Sequence, residues 1–312
     1  AGSAALLPLA LAPGALAAGP APIRRAGGAF LKTSLNAYSF SDLLLANQKD
    51  PRQGLDLFRL CDYCAEQGFE AIDPTGYFFR GYPAAPDDAY LYAFKRHAFD
   101  RGLAISGTGV RNDFTAADPA VRREGILRVK AWVGVAAKLG APVLRVFVDC
   151  QQPFKTWQAA SGNAPRERVE DWIVAAVREC AEHASGHGVI LGLQNHGDFV
   201  ATGALHLRLL ERVDHPWVGA IVDTGKYVTD DPYADIALVT PHAVNWQVKE
   251  SPWGRADKPP TDLRRLVGII RRGGYRGYLP IETLSTGRKE YDPYALVARF
   301  HADLRAAIAA VP

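Results

Sequence analysis

The sequence carries little net charge, because 36 Lys and Arg residues oppose 33 Asp and Glu residues over a length of 312. It also has no long run of Lys or Arg and no alternation of aromatic and basic residues. These absences argue against a nucleic-acid partner and against an anionic membrane surface. The hydrophobic content of 48% is ordinary for a soluble globular protein, and the length accommodates one α/β barrel of about 250 residues.

Cysteine is scarce, with four residues and no spacing typical of a zinc site. Cys61 and Cys64 form a C-x-x-C pair, but it lies inside a helical pattern. A redox pair is expected at a helix N-terminus after a strand, so buried small residues are the favoured interpretation. The sequence also lacks a G-x-G-x-x-G motif, which argues against an open, doubly wound dinucleotide-binding sheet.

Residues 1–18 contain the apolar stretch LLPLALAPGALAA, which includes the A-x-A pattern at 15–17. This composition resembles the core and cleavage site of a secretory signal peptide in truncated form. We therefore expect a periplasmic or secreted protein, with no membrane contact after signal removal and with 19–30 as a linker. The alternative is a disordered Ala/Pro arm on a cytosolic protein.

From residue 31 onward, eight apolar strand patterns alternate with amphipathic helix patterns, and several of the helices end at a glycine. Strict alternation predicts a parallel sheet, and eight units close a barrel. The sequence thus predicts a single-domain (β/α)8 TIM barrel over 31–312. The predicted strands are 31–40, 69–73, 103–108, 142–149, 189–195, 217–223, 243–249 and 278–282.

Polar residues follow the apolar stretches where these strands should end. Side chains alternate along a strand, and in a parallel barrel the strand ends converge on one mouth. A polar side chain that points into a barrel is costly unless it is hydrogen-bonded or binds something. The side chains expected at the C-terminal mouth are Asn36, Arg145, Gln194, His196, Asp223, Gln247, Lys249 and Glu282.

Two carboxylates and two amide oxygens from four strands suit a divalent cation such as Mn²⁺, Mg²⁺, Co²⁺ or Zn²⁺. The alternative is a metal-free polar network in which Lys249 or Arg145 neutralises Asp223 and Glu282. Aromatic residues in the loop 76–83, GYFFRGYP, predict a wall that stacks on a sugar ring or merely caps the barrel. The predicted substrate-binding residues are Asn36, Tyr77, Arg80, Arg145, Trp253 and Arg255.

The strand-end motifs LGLQNHGD, IVDTGKY, NWQVKE and PIETL, taken together and in this order, resemble the xylose isomerase-like TIM-barrel family. That family contains sugar phosphate isomerases and epimerases, and the resemblance covers about 31–308. It implies a metal held by Glu, Asp, His and Glu. The aligned residues here are Gln194, Asp223, Gln247 and Glu282.

The chain departs from this pattern at Gln194 and Gln247, and Lys226 replaces a histidine. In the family's epimerases two glutamates exchange a proton next to a carbonyl, and Gln194 is unable to take one. The resemblance therefore implies a one-base reaction, either isomerisation or β-elimination, with Glu282 as base.

In this reaction the metal, Lys249 or Lys226 would stabilise the enolate oxygen. His196 would be a second acid or base, because histidine changes charge near neutral pH; otherwise it is a neutral partner of Asp198 or of a loop carbonyl.

The sequence thus predicts an exported, metal-assisted isomerase or epimerase-type enzyme, or a keto-sugar lyase, that acts on a free sugar or keto-sugar. The alternative is a non-catalytic sugar-binding barrel derived from such an enzyme. An apurinic endonuclease-like phosphodiesterase is disfavoured, because few histidines lie at strand ends. The sugar and the oligomeric state stay open.

Overall fold

The computed structural model describes residues 21–312, so the signal-like segment 1–18 lies outside the described part of the chain. Within the described residues, nine strands make one sheet: β1 (Phe30–Asn36), β2 (Ala71–Asp73), β3 (Ala104–Ile105), β4 (Thr108–Gly109), β5 (Val143–Phe147), β6 (Ile190–Gln194), β7 (Val218–Asp223), β8 (Ala243–Lys249) and β9 (Arg276–Glu282). Ten α-helices of the same range accompany them: α1 (Ser41–Lys49), α2 (Leu57–Glu66), α3 (Asp88–Asp100), α4 (Pro119–Leu139), α5 (Trp157–Ala160), α6 (Arg166–Ser185), α7 (Gly203–Val213), α8 (Pro232–Val239), α9 (Leu263–Arg272) and α10 (Pro293–Ala310).

All strand pairs are parallel, and the order across the sheet is β3-β2-β1-β9-β8-β7-β6-β5-β4. The edge strands β3 and β4 are separated along the chain by Ser106 and Gly107 alone. The two edges of the sheet therefore lie next to each other and nearly close a barrel. The predicted single-domain (β/α)8 TIM barrel is confirmed.

The third predicted strand, 103–108, is wrong as one continuous element, because it is divided into β3 and β4. The reason lies at Gly107. A Cβ there would lie 2.7 Å from Asn245 Nδ2 and 2.9 Å from Asp73 Oδ2. Lumen side chains thus press against the backbone at this position, and the strand pairing changes from β2 to β5 across it.

Local signals account for most helix ends. Asp118 caps α4 by accepting a hydrogen bond from the Ala120 N–H at 2.8 Å, and Gly140 ends the helix with φ of 77°. The first predicted strand is shorter than expected because Asn36 caps a 3₁₀ turn, accepting from the Tyr38 N–H at 2.8 Å. Helices α1 and α5 lie in stretches where no helix was predicted.

The core lies between the strands and the surrounding helices, and Trp132 and Trp246 are among its largest fully buried side chains. Cys61 and Cys64 are buried in α2, and burial raises the pKa of Cys61 to about 12, which is not the thiol of a redox pair.

Part of the predicted linker packs against the barrel. The Ile23 N–H donates to the Pro241 carbonyl at 3.0 Å, and Arg276 Nη1 donates to the Gly27 carbonyl at 2.8 Å. Arg25 lies over the Tyr275 ring at 5.0 Å. Within residues 21–312, no helix is long and apolar enough to cross a membrane.

Candidate active site

A polar cavity of about 260 Å³ opens at the C-terminal ends of the strands, where TIM barrels carry their active sites. The residues that line it are Asn36, Tyr38, Thr75, Tyr77, Arg111, Arg145, Phe147, Gln151, Gln194, His196, Asp223, Lys226, Lys249, Gly254, Glu282, Thr283, Leu284, Ser285 and Thr286. Most predicted site residues are therefore brought together, although they come from seven different strands or the loops that follow them. Strand alternation is the physical reason, because it points every second side chain into the lumen.

The centre of the cavity is an ion-paired lysine. Lys249 Nζ lies 3.6 Å from Asp223 Oδ2 and in direct contact with Glu282 Oε1. Burial alone would lower the pKa of Lys249, but the charges of Asp223 and Glu282 outweigh it and hold the pKa above its ordinary value. The lysine is therefore an ammonium group that bridges two carboxylates at the ends of β7 and β9.

Asp223 is fully buried and its polar atoms are satisfied from several sides. Gln194 Nε2 donates to Asp223 Oδ2 at 2.8 Å, and the Gly225 N–H donates to Oδ1 at 3.0 Å. Asn195 binds the Asp223 backbone in both directions, at 2.9 Å and 2.7 Å. This network fixes the carboxylate and leaves it little freedom to rotate toward a new ligand.

Arg145 extends the network across the mouth. Its Nη1 donates to Gln194 Oε1 at 3.3 Å, and its Nη2 contacts the Tyr77 hydroxyl. Burial opposes its charge, but Tyr77, Asp73 and Glu282 together keep the pKa of Arg145 above its ordinary value. A second cation thus lies at the cavity and orients the amide of Gln194.

His196 is paired with a carboxylate that the sequence did not assign to it. Its Nδ1 lies 2.8 Å from Asp149 Oδ2, which leaves Nε2 as the nitrogen not engaged by this carboxylate. The alternative partner Asp198 is instead the acceptor for the Trp157 N–H at 3.2 Å. The arrangement is that of an oriented histidine, able to exchange a proton with a bound molecule.

Asp73, at the end of β2, is a buried site carboxylate that the sequence reasoning missed. It accepts a hydrogen bond from Asn245 Nδ2 at 3.2 Å, and burial raises its pKa to about 6, although Arg145 and Asn245 act in the other direction. The available signal was its position as a carboxylate at a strand end. Tyr38, Thr75, Arg111 and Gln151 were also missed, and all four lie outside the strands and α-helices.

Three predicted substrate-binding residues, Arg80, Trp253 and Arg255, do not line the cavity. Arg80 is exposed and lines a separate cleft beside Asp56 and Tyr90. Arg255 forms an exposed ion pair with Asp257 at 2.8 Å, and Trp253 is 38% exposed in the same loop. The physical reason is that these loops turn outward, which strand alternation does not reveal.

The four residues predicted as metal ligands do not fit a divalent ion in this arrangement. Asp223 and Glu282 already face the Lys249 ammonium, and the amide of Gln194 presents its nitrogen rather than its oxygen to Asp223. Gln247 Oε1 is buried without a hydrogen-bond partner among residues 21–312, and Gln247 does not line the cavity.

A divalent ion would also add like-charge repulsion beside Lys249 and Arg145 in a buried setting. In the described range 21–312, no three His, Cys, Asp or Glu residues are grouped so that they could hold a metal.

Solved structures show the same fold at low sequence identity. An L-ribulose 3-epimerase superposes with a TM-score of 0.71 and 17% identity, covering 90% of this chain and 95% of its own. The D-psicose 3-epimerase with D-tagatose from Clostridium cellulolyticum H10 gives 0.69 and 15%, covering 89% and 99%. A xylose isomerase-like TIM barrel protein from Mycobacterium smegmatis in complex with magnesium gives 0.64 and 20%, covering 89% and 97%.

A comparison with curated proteins found no match. The family model described as "Xylose isomerase-like TIM barrel" matches residues 61–302. This range contains every strand of the barrel except β1. The family inferred from the strand-end motifs is therefore confirmed. The chain belongs to the xylose isomerase-like TIM-barrel family.

Proposed function

We propose that the protein is a sugar isomerase or epimerase-type enzyme that removes a proton next to the carbonyl of a free sugar or keto-sugar. The observation that carries the proposal is the pairing of Glu282 with the Lys249 ammonium inside the polar cavity. A carboxylate and a cation side by side match the two tasks of this chemistry, which are to accept a proton and to stabilise an enolate. The structural neighbours named as sugar epimerases support the same substrate class.

Glu282 is the base in this mechanism. It removes the acidic proton, and Lys249 donates a hydrogen bond to the carbonyl oxygen as negative charge develops there. An ammonium has three N–H donors, so Lys249 can contact Asp223, Glu282 and a substrate oxygen together. Lys226 lines the same cavity and supplies a further positive charge.

The second proton carrier is His196, oriented by Asp149. Gln194 replaces the glutamate that the family resemblance implies at this position, and an amide does not accept a proton in this chemistry. A two-glutamate epimerisation is therefore disfavoured. The proposal is a reaction with Glu282 as base and His196 as acid, either aldose–ketose isomerisation or β-elimination.

Metal assistance, which the family resemblance implies, is not part of this proposal. The ammonium of Lys249 lies between the two carboxylates that would hold a metal, and it supplies positive charge at the same place. In a metal-dependent relative, the ion would polarise the sugar oxygens. Here the residues of the chain can perform that task alone.

We propose export and a free rather than phosphorylated sugar on sequence grounds. The signal-like segment 1–18 supports a periplasmic or secreted protein, and phosphorylated sugars are mostly cytosolic. No Gly-rich phosphate motif occurs in the sequence. Fractionation of cells that express the chain would test export, since recovery in the cytosol alone would contradict it.

The test of the function is solvent proton exchange. A panel of aldoses, ketoses and keto-sugars is incubated in D₂O, and deuterium at the carbon next to the carbonyl is measured by NMR. Glu282→Gln is expected to slow exchange by at least about 10²-fold. The matched control is Glu290→Gln, an exposed carboxylate outside the cavity, which should leave exchange unchanged. Full exchange in Glu282→Gln would contradict the proposal.

A second candidate is a non-catalytic sugar-binding barrel. The observation that favours it is the direct contact of Glu282 with Lys249, because the ammonium already occupies a carboxylate oxygen that would have to accept the proton. Binding of a sugar by calorimetry without exchange for any member of the panel would support this candidate.

A further inference from the structure

A second, larger cavity of about 560 Å³ lies beside the polar cavity. It is formed by the loop after β4, the first half of α4, and the segment 150–162 that includes α5. Arg111 and Gln151 line both cavities and therefore form the boundary between them. Its size falls within the range of pockets that hold drug-sized ligands, about 300–1,000 Å³.

The polar groups on the walls of the second cavity are largely engaged by the protein itself. Asn112 binds the Phe147 backbone in both directions, at 2.8 Å and 2.9 Å. Asp113 accepts from the N–H groups of Thr115 and Gln151, at 2.9 Å and 3.1 Å. These bonds tie the two loops together and leave those side chains little capacity for a ligand.

The other acidic groups on the wall are also engaged. Asp118 caps α4, and Glu124 forms an ion pair with Arg128. The accessible surface of this cavity is mainly apolar, and its side chains Val121 and Phe154 are 40% and 41% exposed. Exposed apolar side chains that surround a concave space favour an apolar occupant.

Arg111 provides a polar group at the boundary. Its guanidinium lies 4.5 Å above the Tyr77 ring and has no carboxylate partner within 4.0 Å among residues 21–312. Its backbone is fixed by the Tyr82 hydroxyl, which accepts from the Arg111 N–H at 2.9 Å. A free guanidinium between a polar and an apolar cavity is suited to an oxygen that joins a sugar to an apolar group.

We propose that the second cavity binds the apolar or aromatic aglycone of a glycoside whose sugar ring lies in the polar cavity. The inference rests on the proposed function for the sugar cavity and narrows its substrate class from free sugars to glycosides or keto-glycosides. Arg111 contacts the bridging oxygen, and Val121 and Phe154 contact the aglycone.

This substrate class favours β-elimination over isomerisation. When the sugar carries a keto group at ring carbon 3, Glu282 takes the proton from carbon 2. A double bond forms between carbons 1 and 2 while the bond from carbon 1 to the bridging oxygen breaks. The aglycone leaves as an alcohol with a proton from His196, so no oxidant, reductant or other co-reactant is needed.

The test compares two glycosides that differ only in the aglycone. Methyl and 4-nitrophenyl β-glycosides of glucose, galactose and xylose are titrated by calorimetry into the full chain. The 4-nitrophenyl member of at least one pair is expected to bind at least about tenfold more tightly, because its ring leaves water for the second cavity. Equal affinities within all three pairs, or no binding of any glycoside, would overturn the proposal.

Two variants on α4 test whether the preference for the 4-nitrophenyl glycoside arises in the second cavity. Val121→Trp fills the second cavity from an exposed position and is expected to remove the tenfold preference while leaving methyl glycoside binding unchanged. Leu127→Trp is the matched control, because Leu127 is 53% exposed on the same helix and does not line the cavity. A preference that persists in Val121→Trp would overturn the assignment of the site.

Different results would contradict the aglycone site and the proposed function. Binding preference is measured in the Glu282→Gln background as well, where turnover is not required. Preference without release of 4-nitrophenolate from the 3-keto glycoside by the wild-type protein would overturn the elimination step but support the aglycone site. Exchange on free sugars without any aglycone preference would support the proposed function and overturn the aglycone site.

Discussion

Lys249 is the side chain that distinguishes this site from a metal centre. Its ammonium contacts Glu282 and lies 3.6 Å from Asp223, so both carboxylates already face a cation. We predict that the wild-type protein retains activity after chelation and binds no stoichiometric Mn²⁺, Mg²⁺, Co²⁺ or Zn²⁺. Mass spectrometry of the native protein and calorimetry with each ion check this. One equivalent of metal that is lost in Asp223→Ala would contradict it.

Restoring the ligands of the family is expected to reverse this behaviour. The change is Gln194→Glu with Gln247→His and Lys249→Ala, which supplies three carboxylates and one imidazole and removes the ammonium. Such a set is typical of sites for divalent transition metals. We expect Mn²⁺ binding in the triple variant and none with Lys249→Ala alone, because two carboxylates and two amides bind more weakly. Equal Mn²⁺ binding by the triple variant and by Lys249→Ala would show that the lysine, rather than the type of ligand, prevents metal binding.

The contact between Asp149 and His196 predicts a positioning role for the carboxylate. Asp149→Asn keeps the shape but loses the charge that holds the imidazole, so kcat is expected to fall by about 10²-fold with little change in KM. The control is Asp198→Asn, which alters only the acceptor for the Trp157 N–H. A pH profile of kcat separates the two, since only Asp149→Asn should displace it. Unchanged profiles in both variants would contradict the role.

Among the strands, the break between β3 and β4 depends on Gly107. A Cβ there would meet the polar atoms of Asn245 and Asp73 at under 3.0 Å. We predict that Gly107→Ala lowers the free energy of unfolding by about 1–3 kcal/mol. Gly134→Ala is the control, because nothing lies within 4 Å of its Cβ in α4, and it should stabilise by about 0.5–1 kcal/mol. Urea denaturation measures both, and equal effects would contradict the explanation.

The alternation along β8 shows that the inward-facing side chains of a long strand could be predicted from the sequence. Asn245, Gln247 and Lys249 occupy alternate positions, and Asn245 and Lys249 contact lumen groups from β2, β7 and β9. A long strand carries enough alternation to fix its inward face. Asp73 was missed because β2 has three residues, which is too short for any alternation to be read.

Loops explain the remaining differences. Arg80, Trp253 and Arg255 follow strand ends in sequence, but the direction of a loop is set by contacts with distant segments rather than by periodicity. Arg255, for example, turns outward to pair with Asp257. The second cavity was likewise unpredictable, because its walls come from three segments whose packing no local pattern encodes.

Across the whole barrel, acid sensitivity is expected to come from buried histidines behind the strands rather than from the cavity. His206 on α7 is fully buried, with Nε2 3.0 Å from the Leu193 carbonyl and Nδ1 3.0 Å from the Tyr227 hydroxyl. Burial lowers the pKa of His206 to about 4, against the opposing effect of the Leu193 carbonyl. Burial also lowers the pKa of His301 to about 4.

A histidine whose folded pKa is depressed stabilises the fold above its unfolded pKa of 6.5, and this stability is lost as pH falls from there through about 4. For His206 the loss is on the order of 3 kcal/mol. Glutamine in the His206→Gln variant keeps a hydrogen-bond donor for the Leu193 carbonyl but has no proton to gain. The free energy of unfolding of the variant should therefore fall less steeply with pH over this interval. Protonation of His301 accounts for part of the pH dependence that remains. Urea midpoints measured from about pH 7 to about pH 4 check this. Parallel curves for the two proteins would show that His206 does not contribute to acid unfolding.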